Sequence, residues 1–231
     1  MFKTLTFLAL FLTAFANLLN AQKKPTDSNS AQPAPQTLKK ANRRAEPKSS
    51  KTISPDPFDK ADVAAMAAQC VKLETEAGAV ELEMFPESAP ESVRNFLNLS
   101  ATGAYDTTVF NRVVPGFIVQ GGDLSTRLKM TAELDKRMRR NVPDEPSLIK
   151  HERGIISMAR ASEPNSATTN FFILVGEARH LDGTFAAFGR VTKGMEVVET
   201  INKMPVQDEK PTKPVRISKV VVAPCPAQTK P

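Results

Sequence analysis

From Cys70 to Val222 the chain falls into short runs that either alternate apolar with polar side chains or are wholly apolar. Turn residues close each run, and that pattern admits strands and little else. Val80, Leu82 and Met84 face one way and Glu81 and Glu83 the other, so Val80 to Phe85 reads as a half-buried strand. The turn Glu76-Ala77-Gly78-Ala79 joins it back to Cys70 to Thr75. Thr108 to Val114, Phe117 to Gln120, Ile155 to Ala159, Phe171 to Val175, Ala186 to Thr192 and Val215 to Val222 complete eight strands. Unpaired edges must be managed, and the expected fold is mainly β: a closed eight-stranded antiparallel β-barrel. Two α-helices cap it. One opens at Pro90, repeats Val93, Phe96 and Leu97 on one face, and stops at Gly103; the other follows Gly194 with Met195, Val198 and Ile201 inward. A weaker helix lies within 126–140, where Met130, Leu134 and Met138 sit among Arg127, Lys129, Lys136, Arg137, Arg139 and Arg140. It reads as a solvated helix docked by its apolar stripe, with a functional basic patch as the alternative.

The N-terminus runs from Met1-Phe2-Lys3 through an apolar stretch, Leu5 to Leu12, to small residues at Ala14, Ala16 and Ala21. That order is expected of a secretory signal peptide over 1–21, cleaved after Ala16 or after Ala21. The uninterrupted stretch is shorter than the roughly 20 residues that span a bilayer, which makes an uncleaved anchor the alternative. Residues 22–60 are rich in Lys, Pro, Ser and Ala and poor in large apolar side chains, and read as a disordered basic tether. Residues 61–231 form the folded domain. An exported protein, periplasmic or secreted, is expected.

The formal net charge is +6, and the first 60 residues carry all of it, with 10 basic and 4 acidic side chains. The remainder holds 21 of each. No nucleic-acid partner is therefore expected of the domain, only loose surface association through the basic tail.

CxxC, HExxH, Walker and GxSxG motifs are missing, and the histidines are His151 and His180. Metal, nucleotide and serine-hydrolase chemistry have no support in the motifs, and no cofactor is expected. Cys70 and Cys225 are too far apart for a redox motif and read as structural. What remains is a binding module, or an enzyme whose reaction breaks no covalent bond.

The run from Phe110 to Asp123, Phe-Asn-Arg-Val-Val-Pro-Gly-Phe-Ile-Val-Gln-Gly-Gly-Asp, puts Arg112 and Gln120 among apolar residues. It resembles the FHRxxPGFxxQGGD signature of cyclophilins. Ile156 to Ala161, Pro164 to Ile173 and Leu181 to Val191 resemble the family's next three blocks, in order, so that the likeness covers about residues 70 to 225. The Met-Ala-Arg variant followed by Pro-Asn-Ser-Ala-Thr is similar to bacterial members.

The resemblance implies a peptidyl-prolyl cis-trans isomerase acting on Xaa-Pro bonds of unfolded or extended polypeptides; the leader makes exported proteins its expected clients, and a monomer is expected. A low-activity or inactive module that grips proline-containing segments is the alternative. It implies Arg112, Phe117 and Gln120 as catalytic residues, and Ile118, Ala159, Arg160, Ala161, Asn170, Phe172, His180, Leu181 and Phe185 as substrate-binding residues. Four departures stand out. Asn170 replaces the family's usual Gln, His180 stands where many eukaryotic members have Trp and Asn111 where they have His, and the basic stretch replaces a Gly-rich loop. In the cyclophilin barrel the first and last strands are antiparallel neighbours, so the resemblance also implies a Cys70–Cys225 disulfide, with two free buried thiols as the alternative.

Overall fold

The computed structural model describes residues 56–226; the expected leader and the tether as far as residue 55 lie outside the described residues. One antiparallel sheet of eight strands organises the domain. Its strands are β1 (Gln69–Thr75), β2 (Gly78–Met84), β3 (Arg112–Val114), β4 (Ile118–Gly121), β5 (Ile155–Met158), β6 (Phe171–Leu174), β7 (Ala187–Lys193) and β10 (Ile217–Pro224), in the order β10-β1-β2-β7-β5-β6-β4-β3. A hairpin, β8 (Val206–Gln207) and β9 (Lys210–Pro211), forms a separate two-stranded sheet.

The run expected as one strand over 108–114 divides between two partners. Thr107 and Phe110 donate to Ile217 and Val215, and Val109 bridges Arg216, whereas Arg112–Val114 pair with β4. The sheet is therefore curled, and its two outermost strands lie close enough for the chain leading into one to bond the other.

Two-residue periodicity separates an inner from an outer face. Val113, Val119, Ile173 and Ile156 are cross-strand partners in one row, and all belong to the main core. The helix α2 (Pro90–Ala101) closes one end of that core with Phe96, whose ring meets Tyr105, Phe171 and Phe188 at 5.4, 5.3 and 5.1 Å. Pro90 starts the helix, and Glu145 satisfies two of its free amides by accepting from the N–H groups of Glu91 and Ser92. The helix α4 (Met195–Asn202) adds Val198 and Ile201. Its N-cap, Gly194, has φ +89 and lies so close to Ala79 O that a Cβ would collide with it, so Gly is required there.

The weaker helix expected within 126–140 is α3 (Ala132–Met138), capped by Thr131, and one unforeseen helix, α1 (Val63–Ala67), is capped by Asp62. Leu134 and Met138 pack on the core, but Met130 precedes the cap and is 43% exposed, so the stripe is two residues deep. The tether expected to end at residue 60 gives up its last five residues. Phe58 packs on the core, Arg94 donates to the carbonyls of Phe58 and Ala61, and Asp56 pairs with Arg137 at 3.0 Å. Cys70 and Cys225 are joined by a disulfide with Cα atoms 4.8 Å apart, and Cys225 N–H donates to Ala68 O.

Candidate active site

The row next to Val113 runs across the other face of the sheet. Arg112 pairs with Gln120, Gln120 with Phe172, and Phe172 with Ser157. The following row on that face is Val114, Ile118 and Leu174. Together they floor a second apolar cluster, distinct from the core, whose buried members include Ile118, Phe172 and Leu181. Phe117, Ala159 and Phe185 pack against it while keeping part of their surface in solvent. Six of the twelve expected site residues thus form one half-open apolar shelf.

The polar members stand at its rim. Arg112 Nη1 donates to Gln120 Oε1 at 3.3 Å, and Arg112 Nε donates to Glu209 Oε2 at 2.7 Å. The His180 ring lies 5.7 Å from that of Phe117, and the Arg160 guanidinium stacks 4.9 Å over Phe185. Asn170 gives its backbone carbonyl to Ala159 N–H at 3.0 Å, while its carboxamide makes no hydrogen bond among the described residues. Ala161 is exposed, and its carbonyl accepts from Arg160 Nη1. The Gly-Gly-Asp turn sets the spacing between β4 and the Asn170 segment. Gly122 has φ +86, and a Cβ there would strike Thr169 O, so the strands approach only with Gly in place. A cavity of about 570 Å³ lies elsewhere, between α3 and residues 102–104, and shares no residue with the shelf.

Three contributors were not legible in the sequence. Glu209 reaches Arg112 from the β8–β9 turn, 97 residues away. Asn202, at the end of α4, accepts from Gly116 N–H and donates to the carbonyls of Val114 and Ile118, which holds the β3–β4 hairpin on the helix. His151 is the third. Its ring has no exposure and links Asp182 Oδ1, 3.1 Å from Nδ1, to Ser157 Oγ, 2.9 Å from Nε2. Ser157 Oγ in turn donates to Ala186 O. The connectivity is that of a hydrolase triad, yet Ser157 is also fully buried, so no substrate can reach a nucleophile there. The array instead ties the turn bearing Leu181 to the strand beneath Phe172. The backbone N–H of His151 holds the Asp182 carboxyl below its usual range.

Burial holds the His151 imidazole below its usual value, against the opposing pull of Asp182. The unfolded chain takes up that proton at about pH 6.5 and the folded chain resists it, so the stability is complete above that pH. It declines as the pH falls toward the folded value. Tm measured from pH 7.5 down to 5 should fall for the wild type and fall less steeply for His151→Gln; parallel curves would refute the assignment.

The family model for cyclophilin type peptidyl-prolyl cis-trans isomerase/CLD matches residues 70–222. Peptidyl-prolyl cis-trans isomerase A of Dickeya dadantii is 39% identical over 167 residues, covering 69% of this chain and 84% of its own. A peptidyl-prolyl cis-trans isomerase of Acinetobacter baylyi is 35% identical over 169 residues, covering 68% and 87%. A cyclophilin type isomerase of Cryptosporidium parvum superposes with a TM-score of 0.59 at 31% identity, over 68% of this chain and 99% of that one. Its crystal structure in the presence of the dipeptide Ala-Pro gives 0.58 at 32% identity, over 67% and 98%. Motif order, curled antiparallel sheet and relatives agree, and the chain belongs to the cyclophilin-type peptidyl-prolyl cis-trans isomerases.

Proposed function

We propose that this isomerase turns over Xaa-Pro bonds of exported, proline-containing polypeptides, working as a monomer in the periplasm or outside the cell. The observation that carries the reaction chemistry is the hydrogen-bonded Arg112–Gln120 pair, in one row with Phe172 at the lip of the apolar shelf. Rotation about a prolyl amide loses its resonance, at a barrier of about 18–20 kcal/mol. In the twisted state the prolyl nitrogen regains a lone pair, which a guanidinium can bond more strongly than the planar amide. Only such a difference accelerates the reaction. Phe117, Ile118, Phe172, Leu181 and Phe185 grip the ring, which exposes no donor, while Ala159, Arg160, Ala161 and Asn170 line the path of the peptide. His180 closes the far rim against Phe117. The crystal structure of the Cryptosporidium relative with Ala-Pro supports a proline-containing ligand.

The compartment rests on the leader-like N-terminus and on the Cys70–Cys225 bond, since disulfides persist where the surroundings oxidise. In the same reading residues 1–21 are removed, residues 22–55 tether the domain loosely to an anionic surface, and nucleic acid is not a partner. The bonds between 107–110 and 215–217 support closure of the curled sheet into a barrel.

In a protease-coupled assay on a short Xaa-Pro peptide, the chain should accelerate isomerisation; a rate equal to the spontaneous one would overturn the assignment. Expressed with its own N-terminus in a bacterial host, it should be recovered from the periplasmic fraction shortened by the leader. Full-length protein confined to the cytoplasm would overturn export.

A further inference from the structure

The β8–β9 hairpin turns through Asp208 and Glu209, which have φ +50 and +61. A two-residue turn with both positions left-handed favours Asn-Gly, because Gly alone takes that backbone without strain. The second position here holds Glu209 instead. Its backbone carbonyl accepts from Val113 N–H at 2.7 Å, which seats the turn on β3 beside Arg112. Its carboxylate accepts from Arg112 Nε at 2.7 Å. A strained residue that persists where a less strained one would serve the turn points to a task for its side chain.

We propose that Glu209 is a positioning residue for the isomerase reaction: it clamps the Arg112 guanidinium from Nε while Gln120 holds Nη1, and leaves Nη2 to the substrate. Arg112 is 42% exposed on its side chain and reaches the rim on a long flexible stem. With Gln120 alone, at 3.3 Å, the planar head could pivot about one contact. Two contacts on two different nitrogens fix its plane, and Nη2 has no partner among the described residues. Because the carboxylate arrives from a hairpin anchored to the same strand as Arg112, the clamp is rigid in the frame of the shelf. This inference rests on Arg112 as the cation that touches substrate.

The decisive variant is Glu209→Gly, since it restores the residue the turn prefers. A merely structural Glu209 predicts changes in stability and turnover that move together, whereas a clamp separates them. Exchange spectroscopy on an Xaa-Pro peptide should show kcat falling about 5- to 20-fold with KM within about twofold, while Tm is unchanged or higher. Glu209→Gln, whose amide oxygen can still accept from Nε, should retain at least about half of kcat. In an Arg112→Ala background Glu209→Gly should cost nothing further. Wild-type or faster turnover in Glu209→Gly would overturn the clamp, the faster result marking Glu209 as a competitor for Arg112. A wild-type chain with no turnover would sink the isomerase reading separately. The proton resonance at Arg112 Nε then still decides the clamp, being shifted in wild type and moved toward the free-arginine position in Glu209→Gly; an unmoved resonance refutes it.

Discussion

Arg112→Ala should lower kcat/KM about 30- to 1000-fold, equivalent to about 2–4 kcal/mol of lost transition-state stabilisation. A charge-assisted hydrogen bond accounts for roughly 1.5–3 kcal/mol of that. The upper part of the range comes from what the guanidinium organises, because Gln120 and Glu209 both bond it and both lose their partner in the variant. Stability should change little. The side chain is 42% exposed, and an exposed ion pair contributes about 0–1 kcal/mol. Arg112→Lys tests the geometry as distinct from the charge: an ammonium cannot reach Gln120 and Glu209 through two fixed nitrogens, so it should recover only a minor part of the lost rate. Turnover within about twofold of wild type in Arg112→Ala, with the fold intact, would remove the guanidinium from the mechanism.

The legible part of this protein is the part written locally. Alternation at Val80, Leu82 and Met84 describes a strand buried on one face, and β2 is buried at those three positions. Pro90 and Gly103 bracket a helix because each acts through its own backbone, one by fixing φ and the other by taking φ +68. The four motif blocks lie on neighbouring strands or the turns beside them, which is why six of the residues chosen by likeness form one shelf and five more reach its rim through direct contacts, with Ala161 left exposed.

What stayed hidden depends on partners distant in the chain. Glu209 and Asn202 act on the β3–β4 hairpin from 97 and about 88 residues away, and nothing in their local spacing marks them. Glu209 sits in a stretch that reads as a plain polar turn. Its one anomaly, Glu where Gly is preferred, shows only once φ is known. His151 could be noted as one of two histidines, but its link to Asp182 and Ser157 requires three elements to meet. The run 108–114 misled for the opposite reason. Its residues suit a strand throughout, and the curl of the sheet decides that the first half bonds β10 while the second half bonds β4.

Loss of the Cys70–Cys225 bond should lower stability by about 2–4 kcal/mol, read as a fall in Tm of roughly 5–15 °C for a domain of this size. The two residues are 155 positions apart, so the bond closes nearly the whole domain into one loop. The chain-entropy treatment gives about 5 kcal/mol for a loop of that length, and the typical measured range lies below it. The lower figure is the better expectation here, because β1 and β10 are already paired from Gln69 to Thr75 and the bond adds a clasp at the end of that ladder. Its leverage is greatest against fraying. Val222, Val220 and Ile217 on β10 pack on the core, and β10 is an outer strand of the sheet, so peeling from residue 225 inward would expose them in turn. β1 and β10 contribute no residue to the shelf, so turnover on a small peptide at 25 °C should stay within about twofold of wild type. Cys70→Ala/Cys225→Ala and the reduced wild type should melt together, both below the oxidised protein, and hydrogen exchange at Val220 to Ala223 should quicken first. An oxidised protein that melts with the double variant would show that the bond contributes nothing to stability. A double variant that keeps its Tm but loses turnover would show that the clasp instead reaches the site.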